Sequence, residues 1–312
     1  MSDATVSRLG QVNVTGAVDA LFLEVWSGEV LEAFNKKQTT ADKHLVRTIA
    51  NGKSAQFPIL GTVGSAFHVA GTELSFQQVK HAKRSIAIDG LLVAPIFLDV
   101  LDEAQNHYDV RAPYQEQQGQ TLANDWDQRV LRSFIIASRT ATHPNTALPG
   151  GRRVTSATMG TSSSVLKSSI YTAAQYLDEN NVEKDNRYVW VAPAQFYLLL
   201  ADGEFINRDF AGEGSKARAN VPFASDLQVI KSNNLPRAVD TSNTDLPSDL
   251  RADYSANIAI VGHKSAAGTV KLIGMTTEGA YDINRQGWIM VSKYAQGTNY
   301  LRPDAAVELA TA

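Results

Sequence analysis

The sequence contains no cysteine. Disulfides, thiolate metal sites and cysteine nucleophiles are excluded, so stability has to come from packing and association. An excess of positive charge is also missing: 29 Lys and Arg stand against 32 Asp and Glu, a formal net charge of -3. Proteins whose main task is tight nucleic-acid binding are usually basic, so any contact with DNA is expected to be weak and local. No apolar run approaches a membrane span. Met1 to Gln11 has neither the apolar core nor the cleavage site of a secretion signal, and the chain is expected to be soluble and cytoplasmic when made. Catalytic signatures are equally scarce. There is no GxGxxG, Walker A loop, HExxH or GxSxG, and Gly212-Glu213-Gly214 lacks the further glycines and the preceding strand of a phosphate loop. No catalytic residue, metal site or cofactor is expected.

Hydrophobic residues make up 44% and charged residues 20% of the 312-residue chain, enough for one large domain or two connected ones. Residues 1–16 are small and polar. From Ala17 to Phe34, Leu21, Phe22, Val25, Leu31 and Phe34 recur at helical spacing, with Gly28 as an interruption. This apolar stripe needs a partner surface, either its own domain or a neighbouring subunit. A short strand is expected at His44–Ala50. Gln56–Leu60 and Ser85–Leu92 read as strands, and the glycine-rich stretch between them, carrying Phe67 and His68, as a long hairpin with little to bury itself against. Lys80, His81, Lys83 and Arg84 form a basic cluster there, read either as a contact with another subunit or as a solvated face.

Pro95 is placed to open a helix through Phe97, Leu98 and Leu101. A longer helix is expected over Pro113–Arg139, with Leu122, Trp126, Val130, Leu131 and Phe134 along one face. At ~1.5 Å per residue it spans roughly 40 Å and reads as a strut, packed on one side and solvated on the other. Glu103 and His107 lie one turn apart, a spacing open to a metal ligand pair, but nothing points to a third ligand, and the preferred reading is a helix-surface ion pair. Thr140–Ser164, with its Pro, Gly, Ser and Thr, reads as a linker in which Arg152-Arg153 is a surface pair. Further elements are a helix at Val165–Leu177, a strand at Arg187–Ala192, a helix opened by Pro193, and strands at Leu227–Lys231, Ile258–Val261, Trp288–Ser292 and Ala306–Leu309. Strands and helices do not alternate strictly, so the fold class is α+β.

Several segments resemble one family in the same order along nearly the whole chain. They are Ala20-Leu21-Phe22-Leu23-Glu24-Val25, Gly28-Glu29-Val30-Leu31, Gly52-Lys53-Ser54-Ala55-Gln56-Phe57-Pro58 and Ile88-Asp89-Gly90-Leu91-Leu92. Asn106-His107-Tyr108-Asp109-Val110-Arg111, Gly268-Thr269-Val270-Lys271-Leu272, Lys293-Tyr294-Ala295 and Leu301-Arg302-Pro303 continue the match. The family is that of the major capsid proteins of T7-like podophages. Residues 140–165 and 207–255 depart most.

The resemblance implies an HK97-like capsid fold. Residues 1–56 become an N-terminal arm, and 57–93 an extended hairpin called the E-loop. Residues 94–180 and 286–312 become a peripheral domain with a long spine helix, and 181–285 an axial domain. The arm residues Leu21, Phe22, Val25, Leu31 and Phe34, and the hairpin residues Phe67, His68, Lys80, Lys83 and Arg84, are then expected at subunit interfaces. Leu122, Trp126, Val130, Leu131 and Phe134 are expected to pack the spine helix. The implied partners are copies of the chain in hexamers and pentamers, a separate scaffolding protein, a portal protein, packaged double-stranded DNA held weakly and non-specifically, and a decoration or cement protein. The implied location is the virion capsid, with assembly in the host cytoplasm. A cellular nanocompartment shell protein of the same fold and an unrelated α+β enzyme are the competing readings.

Overall fold

The computed structural model describes residues 30, 32–34, 38–61, 63–73, 76, 78–101, 111–202 and 223–312. Twelve strands run as β1 Leu45–Thr48, β2 Ser54–Leu60, β3 His81–Ala87, β4 Leu91–Asp99, β5 Arg152–Thr155, β6 Arg187–Val191, β7 Phe223–Ala224, β8 Leu227–Lys231, β9 Asn257–His263, β10 Ala267–Asp282, β11 Gly287–Tyr300 and β12 Ala306–Ala310. Three longer helices among the described residues are α1 Arg111–Arg139, α2 Ser163–Glu179 and α3 Pro193–Ala201. The strands form a four-stranded sheet in the order β1-β10-β11-β4, a six-stranded sheet in the order β5-β12-β9-β6-β8-β7, and the two-stranded β2-β3 hairpin.

The chain divides into two compact units. The first comprises residues 1–38, 89–126 and 271–296. Here β4 pairs antiparallel with β11, from Gly287 opposite Asp99 to Ala295 opposite Leu91. Val30, Leu98 and Met290 form a buried cluster against which Ile96, Met275 and Trp288 pack. The helix expected from Pro95 is instead strand β4, with Pro95 opposite Val291. The strand lies at the edge of its sheet, where a missing N–H is tolerated, and Leu98 turns inward while Phe97 stays exposed. Glu103 and His107 lie outside the described residues.

The second unit comprises residues 39–88, 127–270 and 297–312. Its centre is the six-stranded sheet. Strand β6 is buried at all five positions, as expected of a strand covered on both faces. Trp190 on β6 meets Phe134 of α1 with ring centroids 4.9 Å apart, and α2 buries Leu166, Ile170, Ala173, Ala174 and Leu177 while contacting β12, β5, β9 and α3.

Three further expectations need correction. Helix α1 is solvated on one side only in its first half: from Val130 to Ser138 every residue but Ile136 is buried. The linker over 140–164 contains strand β5, which runs parallel to β12 with Arg153 opposite Glu308. The single strand over Ser85–Leu92 is two, β3 and β4, separated at Ile88–Gly90. Strand β10 had no counterpart in the sequence reading at all.

Candidate assembly interface

The β2-β3 hairpin pairs Ser54 with Ala87 at one end and Leu60 with His81 at the other. Because side chains alternate along a strand, one face carries the opposed pairs Ala55 and Ile86, Phe57 and Arg84, and Ile59 and Ala82. That face turns inward. Ala55 and Ile86 join Val270 and Leu301 in a buried cluster, with Ile49, Phe57 and Ile88 around it. Arg84 lies over the Tyr300 ring, its guanidinium carbon 4.1 Å from the centroid, a cation–π contact. The other face, with Gln56, Pro58, Leu60, His81 and Lys83, is exposed. The basic cluster is therefore split: Lys83 and Lys80 are exposed to solvent while Arg84 lies partly covered against Tyr300.

Beyond the paired rungs, Val63 to Ala70 are exposed without exception, His68 among them. Phe67 is 104% and Phe76 94% exposed, with Leu60, Val63 and Val69 each above 60%. Burying a phenylalanine fully is worth about 1.5–3 kcal/mol, so two rings left in water amount to several kcal/mol of unused burial. A cluster of large apolar side chains of this kind marks a surface that meets another. An apolar cleft of about 390 Å³, lined in part by Phe57, Ile59, Leu148 and Leu301, opens beside the hairpin.

The hairpin base is pinned by the start of the segment read as a linker over Thr140–Ser164. Asn145 Nδ2 donates to the Lys80 carbonyl at 3.0 Å, and the same carbonyl accepts the Gly61 N–H at 3.0 Å. Lys80 Nζ approaches Thr146 Oγ1 at 3.4 Å. Nearby, His143 Nε2 lies 3.2 Å from Asp304 Oδ1, with both side chains fully buried. Asp304 also takes the Arg302 guanidinium at 2.6 Å. Burial alone would raise the Asp304 pKa. Hydrogen bonds from His143 and Arg302, with their charges, outweigh it and hold the carboxyl below its ordinary value.

Of the arm residues, Leu21, Phe22, Val25 and Leu31 lie outside the described residues. Phe34 is buried, edge-on to Trp126 at 6.0 Å and 6.2 Å from Tyr294. At Phe34 and Val30 the arm thus docks on its own unit. Leu122, Trp126, Val130, Leu131 and Phe134 of α1 are all buried.

Asp127 collects the backbone N–H of Thr39 at 2.8 Å and of Thr40 at 3.1 Å. It also takes both threonine hydroxyls at 2.6 Å and the Asn234 amide at 3.2 Å. On the sheet, fully buried Glu308 is gripped by Arg139 at 2.6 Å and Arg153 at 3.1 Å. Among the described residues no group of three His, Asp or Glu could hold a metal ion, and no helix is long and apolar enough to cross a membrane. Asn145, Asp127 and Asp304 carry no periodic or motif signal, and their partners Lys80, Thr39 and His143 are distant in sequence.

The Gp10A-like family, described as major capsid protein, matches residues 56–310. The major capsid protein of Enterobacteria phage T3 is 31% identical over 314 residues, covering 92% of this chain and 90% of the relative. That of Escherichia phage T7 is 29% identical over 312 residues, covering 92% and 90%. Among solved structures, the capsid of cyanophage P-SCSP1u is similar with 39% identity, a TM-score of 0.81, and coverage of 100% of this chain and 99% of that one. The mature capsid of bacteriophage PhiM1, at 20% identity and a TM-score of 0.72 over 88% of this chain and 87% of that one, shares the fold.

Proposed function

The chain belongs to the Gp10A-like family of major capsid proteins, and from that premise we propose how its copies hold one another. It is the major capsid protein of a tailed bacteriophage, with an HK97-like α+β fold, and it works by self-association into the virion shell. The role is structural.

In the proposed assembly the hairpin between Leu60 and His81 is the limb that reaches a neighbouring copy. Phe67 and Phe76 are the anchors, and His68, Lys80 and Lys83 contribute polar contacts at their rim. Arg84 serves from behind, by holding the hairpin on Tyr300. The arm residues Leu21, Phe22, Val25 and Leu31 supply a second limb whose root is Phe34. Copies close into hexamers and pentamers around a separate scaffolding protein, with a portal at one vertex, and the finished shell encloses double-stranded DNA. The formal charge of -3 fits a lining that touches DNA weakly, since tight phosphate binding draws on many unpaired cations. A decoration protein would sit on the outer face. We assign residues 1–56 to the arm, 57–93 to the E-loop, 94–180 and 286–312 to a peripheral domain and 181–285 to an axial domain. Assembly is placed in the host cytoplasm, with the virion capsid as destination.

The observation that carries this reading is the complete exposure of two phenylalanine rings on a hairpin whose base is tightly fastened. The test is co-expression with the scaffolding protein, followed by electron microscopy. Closed icosahedral shells are expected from the parent chain, and a folded subunit with few shells from the Phe67→Ser, Phe76→Ser double variant. Shells from the double variant in parental yield would remove the hairpin from the assembly contact.

A further inference from the structure

We propose that Asn145 is a positioning residue for assembly: its side chain sets the direction in which the β2-β3 hairpin leaves the subunit. The inference rests on the reading of that hairpin as an assembly limb. The last rung of the hairpin is the Gly61 N–H bond to the Lys80 carbonyl at 3.0 Å. A carbonyl oxygen offers two lone pairs, and the second is taken by Asn145 Nδ2, also at 3.0 Å. Asn145 is only 2% exposed, so its bond is not one that water readily replaces. The approach is close enough to require glycine on the hairpin side. A Cβ on Gly61 would lie 2.9 Å from Asn145 Nδ2 and 2.8 Å from the Lys80 oxygen.

Asn145 is in turn immobilised by its surroundings. Its Oδ1 accepts the Ala147 N–H at 3.1 Å, its own N–H donates to His143 Nδ1 at 2.9 Å, and its carbonyl accepts the Leu148 N–H at 3.0 Å. His143 faces Asp304, which Arg302 holds. Asp304 lies in the short turn Pro303–Ala305 that leads directly into β12. The side chain that fixes the hairpin is therefore a post rooted in the central sheet. On the far side of the post, Val63 to Ala70 are exposed.

That arrangement is a lever. Nine residues on each side of the tip reach at most about 30 Å when extended. A swing of roughly 10° at the base then moves the tip by roughly 5 Å, more than the span of a van der Waals contact. Hexamers and pentamers set the limb in different surroundings, so shell closure depends on copies presenting it within a narrow range of angles, since a heterologous contact that fails to close gives open arrays. Asn145 and Gly61 are the residues that hold that range.

The experiment compares the full chain with Asn145→Asp, which keeps the shape and the Ala147 bond but turns an oxygen toward the Lys80 carbonyl. Gly61→Ala disturbs the same joint from the hairpin side. A third chain has residues 62–79 replaced by a two-residue turn. Amide hydrogen exchange and electron microscopy of scaffold-assisted assemblies are read on each. Gly61 is expected to exchange slowly in the parent and roughly tenfold faster in Asn145→Asp, the scale of losing a hydrogen bond's protection. Amides of the six-stranded sheet should be unchanged. Closed shells of parental diameter should fall severalfold in both point variants, with open or irregular products in their place.

Parental diameters and yields from either folded point variant would overturn the proposal. So would a Gly61 amide that exchanges in the parent as fast as the tip amides, a result that needs no variant to fold. If the chain lacking 62–79 forms normal shells, the limb itself is dispensable and the underlying reading fails. If that chain fails to assemble while the point variants behave as the parent, the limb stands and only the role of Asn145 is lost.

Discussion

Asp304 has no exposed side-chain surface, and it stays charged because His143 and Arg302 supply donors from two sides. A buried pair deprived of one partner costs about 3–5 kcal/mol, so Asp304→Asn should lower the urea midpoint clearly. The sign of the pH dependence follows from the shift. The folded carboxyl titrates below its ordinary 3.8, so its contribution is fully present above that value and is lost as the pH falls through the lower, folded one. The gap in midpoint between parent and Asp304→Asn should therefore be constant above about pH 5 and close below pH 4. A gap that widens on acidification would contradict this.

Gly119 makes a different point about single positions. A Cβ there would meet the Val30 carbonyl at 2.7 Å and Ala33 Cβ at 2.8 Å. Helix propensity favours alanine over glycine by about 1 kcal/mol, whereas overpacking costs about 1–3 kcal/mol. Gly119→Ala should thus lower the thermal midpoint although it lies inside a helix. A rise would mean that the turn at residues 30–34 does not bear on α1.

Helix α1 buries Leu122, Ala123, Trp126, Val130, Leu131, Phe134, Ile135 and Ala137. Leu131 is fully buried within the stretch that is enclosed almost all round, so Leu131→Asp places an unpaired carboxylate where no water can reach it. Circular dichroism should show failure to fold, and a folded, soluble variant would show that this stretch is open to solvent. This helix was legible in the sequence because its apolar period runs from Leu122 to Ile135 without interruption. So were β6, as Tyr-Val-Trp-Val, and α3 behind Pro193. Strand β4 was not, because Pro95 sends the same local signal at a helix start and on an edge strand, and only pairing with β11 decides between them. Strand β10 was missed because Gly268, Gly274 and Gly279 and its threonines dilute the alternation. Its residues from Ile273 onward are mostly exposed or half-buried, so burial left little periodic mark. The β2-β3 hairpin could be read, since two β-segments flank a glycine-rich, mostly polar stretch. The post beneath it could not, since Asn145 and Lys80 are 65 positions apart.

A shell subunit has to leave some apolar surface uncovered when free and cover it in the particle. Each contact between copies can then stay weak and correctable while their sum closes the shell. Burial of large side chains, rather than charge, is the expected driving force, because the chain is close to neutral, at -3, and surface ion pairs contribute little. The most direct measurement is hydroxyl-radical footprinting of Phe67 and Phe76, read by mass spectrometry in the free subunit and in purified shells. Oxidation of both rings should fall severalfold on assembly, while that of buried Trp190 stays low throughout. Equal oxidation of Phe67 and Phe76 in the two states would contradict the account, because the rings would then face solvent in the finished particle.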